Sequence, residues 1–197
     1  MNYKPINIGV IGLFIIGLVG VYFQFISFWI LILGIIMYLL FLLLISTNVQ
    51  WNFFIKAFNV SPEHKKNEVA LTFDDGPVEN TLKILLLLKK HDAKASFFCI
   101  GKNIEANPEI FRRIIEEGHM IGNHTFSHTR KMGFLNKEQI ILEINNCDAA
   151  ALKEGGIKLK TYRPPFGIIN PKIKEALEFT EHQVVGWNVR SYDAVLS

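Results

Sequence analysis

Three short runs in this 197-residue chain carry side chains that could do chemistry together: Thr72-Phe73-Asp74-Asp75-Gly76-Pro77, Asn123-His124-Thr125-Phe126-Ser127-His128 and Arg163-Pro164-Pro165-Phe166-Gly167. They supply two adjacent carboxylates, two imidazoles four residues apart and one guanidinium, the parts of a metal-dependent hydrolase. Neighbouring residues in extended backbone point in opposite directions. Asp74 and Asp75 therefore suit a division of labour, one holding a metal and the other handling a proton. Asp-Gly-Pro is also strong turn chemistry by itself. His124 and His128 can reach one ion if their stretch turns helically. Two histidines and a carboxylate leave positions open for water, which is the pattern of a catalytic rather than a structural zinc site. Arg163 precedes two prolines that stiffen its backbone. A fork-like cation held there can orient a carboxylate and keep it ionised; the alternative is a surface arginine in a rigid loop.

The elements that must position these runs follow from local pattern. Val69–Phe73, Ala95–Ile100, Met120–Gly122 and Gln183–Val189 read as strands. Helices are expected over Thr81–Lys90 with Asn80 as N-cap, and from Asn107-Pro108 to about Glu117. Another starts at Asn136, where Gln139 completes a capping box, carries Ile140, Ile141, Ile144 and Cys147 at helical spacing, and stops at Gly155-Gly156. A last helix starts at Asn170-Pro171. Strand–helix alternation argues for an α/β fold around parallel strands, and all three runs follow strand ends, where barrel enzymes carry their sites. Cys99 and Cys147 read as buried free thiols. His119 reads as structural, and His64 and His91 as solvated.

Upstream the chain is different. Mean hydropathy is +0.25, and the cause is local: the 51 positions between Lys4 and Lys56 hold no charged residue, while all six histidines lie beyond Lys56. A span needs about 20 apolar residues, and this segment has room for two, near 6–23 and 28–45, joined by a tight turn around Gln24 and Ser27. It is too long for the apolar core of a cleaved signal peptide. Tyr3, Tyr22, Trp29 and Trp51 lie near the proposed ends, where amphipathic rings favour the interface. The organisation expected is a transmembrane hairpin over 1–47, a juxtamembrane connector over 48–67 and a catalytic domain over 68–197. Two spans put both ends on one side of the membrane, but the lysines flanking the hairpin do not say which. The formal charge of +3 is unclustered and gives no reason to expect a nucleic-acid partner.

From Val69 to Asp193 the three runs, in this order, resemble the NodB-homology polysaccharide deacetylases of carbohydrate esterase family 4. The resemblance implies a deformed (β/α) barrel, expected to lack its last strands in this chain. It implies that Asp75, His124 and His128 bind a divalent metal, usually zinc, that Asp74 is the general base for the attacking water, and that Arg163 orients Asp74. A backbone N–H at Phe166 would contact the oxyanion. The reaction implied is removal of an acetyl group from an N-acetylated sugar of peptidoglycan or a secreted N-acetylglucosamine polymer. A membrane-anchored domain outside the cytoplasm would meet that polymer, with membrane lipid as its other partner. The family's Asp-x-x-Asp-Trp motif stands here as Arg190-Ser191-Tyr192-Asp193-Ala194 after the strand bearing Trp187. Asp193 keeps the carboxylate that partners the general acid; Ala194 replaces the tryptophan of the acetyl pocket. The Leu-x-His motif of the general acid has no counterpart, and His182, before the last strand, is a poor substitute. The rival expectation is therefore a non-catalytic glycan- or partner-binding membrane protein.

Overall fold

The computed structural model describes residues 4–60 and 68–191. Two apolar helices come first, α1 (Lys4–Tyr22) and α2 (Phe28–Ser46), each long and apolar enough to cross a membrane. They form an antiparallel hairpin. Gln24 takes left-handed backbone in the turn, and the N–H groups of Phe25 and Ile26 both donate to Gly20 O. A Cβ on Gly17 would meet Leu31 at 2.8 Å, the close approach that small residues permit between apolar helices. Tyr38 Oη donates to Asn7 Oδ1 at 3.0 Å and ties the helices near their far ends.

The rest is an all-parallel sheet wrapped by helices, the α/β class expected. In chain order the elements are β1 (Ala57–Phe58), β2 (Leu71–Gly76), α3 (Glu79–Lys90), β3 (Ala95–Cys99), α4 (Gly101–Ala106), α5 (Pro108–Glu116), β4 (Met120–Asn123), α6 (Lys137–Gly155), β5 (Thr161–Tyr162), α7 (Pro171–Thr180) and β6 (Gln183–Val185). The strand order is β1-β6-β5-β4-β3-β2, an open sheet edged by β1 and β2 among the described residues. The predicted α6 capping box is present, Asn136 Oδ1 accepting from Gln139 N and Gln139 Oε1 from Asn136 N. Gly156 ends the helix in left-handed backbone, and Asn170 caps α7. Three local readings differ. Helix α3 begins at Glu79, with Thr81 Oγ1 rather than Asn80 closing its first turn by accepting from Val78 N–H. The chain after β3 turns at once into α4. The last strand is confined to Gln183–Val185.

The stretch read as a connector carries structure of its own. A 3₁₀ turn at Val49–Trp51 leads into β1, which pairs with β6 (Ala57 opposite Val184). Ile45, Val49, Phe54 and Ala57 are buried in one cluster with Met132, Ile140, Ile144, Tyr162, Ile169 and Ile173. The last turn of α2 thus belongs to the domain's core, and Ile169 N donates to Ser46 O at 2.8 Å. A second cluster, with Leu85, Phe97, Ile104, Phe111, Ile114 and Cys147, fills the space between β2–β4 and α3–α6. Cys99 and Cys147 are buried free thiols, as expected, and burial raises the pKa of both.

Candidate metal centre and active site

The carboxylates depend on a fault in β2. Phe73 pairs with Phe97 and Gly76 with Cys99, so three steps on β2 face two on β3. The extra residue makes a β-bulge, which re-aims a side chain. Asp75 adopts left-handed backbone there (φ 65°). The plain extended geometry read from the sequence therefore fails at Asp75, although the two carboxylates still separate. Asp74 turns to Arg163 and Asp75 to the histidines. The amides of Asn103 and Asn107 pin this loop, donating to Asp75 O at 2.7 Å and Pro77 O at 3.1 Å.

The histidine run is not helical. Thr125 (φ 67°) and His128 (φ 48°) take left-handed backbone, and the bend folds His128 back over His124, with ring centroids 4.9 Å apart. Asn123, fully buried at the end of β4, starts the bend. Its Oδ1 accepts from Thr125 N, while its amide donates to Ile144 O and Asp148 Oδ1. Glu143, on α6, holds the apex. One carboxylate oxygen accepts from Phe126 N and Ser127 N at 3.1 and 2.8 Å, the other from Ser127 Oγ at 2.7 Å. Thr125 Oγ1 accepts from His128 N at 3.1 Å.

Asp75, His124 and His128 come together as a ligand set, their donor atoms within 4.8 Å of one another. His124 Nδ1 lies 2.8 Å from Arg163 O. A carbonyl only accepts, so this nitrogen carries the proton and Nε2 keeps its lone pair, the arrangement that orients metal-binding imidazoles. Nε2 of His124 and of His128 lie 3.5 and 3.3 Å from Asp75 Oδ1. Tetrahedral ligands about 2.1 Å from one ion sit at about that spacing, so the residues fit a divalent cation. Burial pushes the His124 pKa below its ordinary value, with Asp74 the largest influence pulling the other way, and the ring is held neutral, as a ligand must be. The set opens outward: the side chains of His124, His128 and Asp75 are 3, 20 and 65 % exposed.

Arg163, almost wholly buried, ties the site across the sheet. Nη1 donates to Asp74 Oδ1 at 2.9 Å and Thr72 Oγ1 at 2.7 Å, Nη2 to Gly186 O at 2.8 Å and Nε to Val185 O at 3.3 Å. The guanidinium lies 4.0 Å over the Phe98 ring and 5.7 Å from that of Trp187. Burial lowers its pKa and Asp74 raises it; an arginine starts so high that it stays charged. Arg163 reaches Asp74 through a single N–H rather than a two-pronged fork, and it is buried rather than part of a surface loop.

Phe166 sits in left-handed backbone (φ 58°) within a 3₁₀ turn at Pro165–Gly167. Its half-exposed ring is 4.8 Å from that of His128. Gly167 (φ 72°) follows, and Trp187 packs where a Cβ would stand, 2.7 Å away. Asp193 lies outside the described residues. His182 stands apart from the ligand set, between Thr180 O and Asp148. His119 is structural, accepting through Nδ1 from Ala95 N at 3.4 Å.

A bulged aspartate pair, a folded-back histidine pair and a buried arginine at the carboxyl ends of a parallel sheet define a class. The sequence profile of the polysaccharide deacetylase family matches residues 61–185, and the chain belongs to that family. A peptidoglycan-N-acetylglucosamine deacetylase of Bacillus cereus is 42% identical over 139 residues, which is 70% of this chain and 50% of that protein. The chain thus spans about half the length of that curated relative. Among solved structures, a family 4 carbohydrate esterase from Streptomyces lividans in complex with acetate superposes with a TM-score of 0.63 at 31% identity, covering 66% of this chain and 67% of that one. A family 4 pseudoenzyme from Bacillus anthracis gives 0.56 at 25% identity, covering 61% of this chain and 43% of that one.

Proposed function

We propose that this protein is a membrane-anchored, metal-dependent deacetylase that removes N-acetyl groups from an envelope or secreted polysaccharide. The substrate class we favour is peptidoglycan or another N-acetylglucosamine polymer. The observation that carries the reading is the pairing of an open Asp75–His124–His128 ligand set with Asp74, held by Arg163 beside it. The Bacillus cereus deacetylase and the acetate-bound esterase support the substrate class.

Asp75, His124 and His128 would hold the cation, with zinc favoured by two imidazoles and a carboxylate. A bound divalent cation would polarise the acetyl carbonyl and lower the pKa of water. Asp74 then takes the proton of the attacking water as that water adds to the acetyl carbon. Arg163 fixes the direction of Asp74 through one charge-assisted hydrogen bond. The backbone N–H of Phe166, whose ring lies beside that of His128, would donate to the oxyanion. The departing amine requires a proton, and Asp193 is the residue we assign to orienting its donor. The two apolar helices anchor the protein in the cell membrane as a multi-pass element, with lipid as partner. A polymer substrate of the envelope puts the domain outside the cytoplasm.

The second reading is a glycan- or partner-binding protein without turnover. It draws on the pseudoenzyme among the structural relatives and on Arg190 and Ala194 standing where the family's Asp-x-x-Asp-Trp motif has aspartate and tryptophan. Acetate release by the purified full chain separates the two, and replacing Asp74 by Asn tests the base. Acetate release from N-acetylglucosamine oligomers should fall at least about 10²-fold, the scale of a lost general base, with metal content unchanged. Release that survives the substitution would remove Asp74 from the mechanism. An unsubstituted chain that binds metal and oligomer without releasing acetate would favour the second reading.

A further inference from the structure

The anchor joins the domain without a flexible linker, and it joins it beside the site. Ile45, in the last turn of α2, is 3% exposed within the domain core, with Leu42 packed against the same cluster. Ser46 O accepts from Ile169 N. Ile169 lies three residues after Phe166, on the stretch between the end of β5 and the start of α7. Helix α7 then runs back to the start of β6, so the docking point is at the carboxyl end of the sheet, the rim that carries the ligand set. Three residues span at most about 11 Å, and the Phe166 ring touches that of His128. The ligand set is therefore within about 25 Å of the last turn of α2.

The rest of that rim is suited to headgroups. Asn170 Nδ2 donates to Gly133 O at 2.8 Å, which fixes the 3₁₀ turn Met132–Phe134 next to the docking point. Phe134 is 87% exposed on that turn, and Arg130 and Lys131, just before it, are exposed. Trp51, on the turn that follows α2, is exposed as well. Aromatic rings with cations are what a phosphate-bearing interface attracts; Glu138 is the acidic neighbour in the first turn of α6.

We infer that the catalytic rim lies against the membrane, and that the substrate it takes is an N-acetylated saccharide still joined to a membrane lipid through phosphate. The inference rests on the deacetylase and anchor readings above. A site fixed by a rigid helix end, with no tether to let it rise, samples only the layer next to the lipid. Saccharides attached there reach a high effective concentration, whereas a chain on a flexible stalk would sample a far thicker shell.

The test reconstitutes the full chain in vesicles of mixed zwitterionic and anionic phospholipid. It compares acetate release from one N-acetylglucosamine disaccharide in three forms: free, joined by pyrophosphate to a polyprenol in the bilayer, and joined to the same lipid through ethylene-glycol spacers of increasing length. The expected result is at least about tenfold faster release from the directly linked form than from the free one, with the rate falling as the spacer lengthens. Membrane co-localisation alone would give rates that hold or rise with spacer length, and that result would overturn the inference, as would equal rates on free and linked forms. In both cases release continues and the deacetylase reading stands. No release from any form with metal bound would overturn the deacetylase reading and the inference with it. Failure of the chain to stay with the vesicles would overturn the anchor reading and the inference.

Discussion

Arg163 shows how single side chains divide the labour in this site. Its guanidinium donates to Asp74, Thr72, Gly186 and Val185, and its carbonyl fixes the tautomer of His124. One residue thus holds together Asp74, the proposed base, and His124, a proposed metal ligand. His124 carries a consequence for pH. In the unfolded chain its imidazole titrates near 6.5; in the fold, burial depresses that pKa. Below about pH 6.5 the unfolded state binds more protons than the native one, so stability falls with pH. The slope from this group is at most about 1.4 kcal/mol per pH unit, and it flattens once the pH passes below the folded-state pKa. Denaturant melts of the chelated protein in detergent between pH 7.5 and 5 should show that decline. His124→Asn should remove its share, and an unchanged pH profile in that variant would contradict the assignment.

Elements explain why those side chains arrive together. The histidine bend closes two hydrogen bonds of its own, the first two residues of α4 donate to its Thr125 and Phe126 carbonyls, and α6 adds Glu143 at the apex. Replacing Glu143 by Ala should weaken metal binding about 10- to 100-fold, the usual scale for a group that supports a ligand, with α6 intact by circular dichroism. Metal affinity equal to the parent's would contradict its role. The strand-and-helix pattern, both caps on α6 and the grouping of the aspartate pair with His124 and His128 were legible in the residues, while the choice of Asp75 over Asp74 as the histidines' neighbour came from the family resemblance. Glu143 was within reach: it lies three residues after Ile140 and four before Cys147, which puts it on the buried face of an otherwise apolar stripe. The bulge at Asp75 was not, because it exists only in the pairing of β2 with β3. Strand β1 was equally hidden. It is two residues long, and its partner β6 lies more than 120 residues away in the sequence, so no local signal marks it.

The whole molecule couples an apolar hairpin to a hydrolase fold through a shared core. That coupling has a cost if disturbed. Ile45→Ala removes a buried side chain at the junction and should destabilise the domain by about 2–5 kcal/mol, read as a shift in the denaturant midpoint. The neighbouring Leu44, exposed on the same helix, should tolerate Ala with little change in that midpoint. Equal effects at the two positions would mean the helix end is not part of the core. If Asp75, His124 and His128 hold the cation with which Asp74 deacetylates a glycan, activity must follow the metal. The most direct measurement is acetate release from N-acetylglucosamine oligomers by the full chain, before chelation, after it and after zinc is restored. Release, its loss on chelation and its return with zinc are expected. Release that persists undiminished in the chelated protein, or none from the zinc-loaded one, would contradict that expectation.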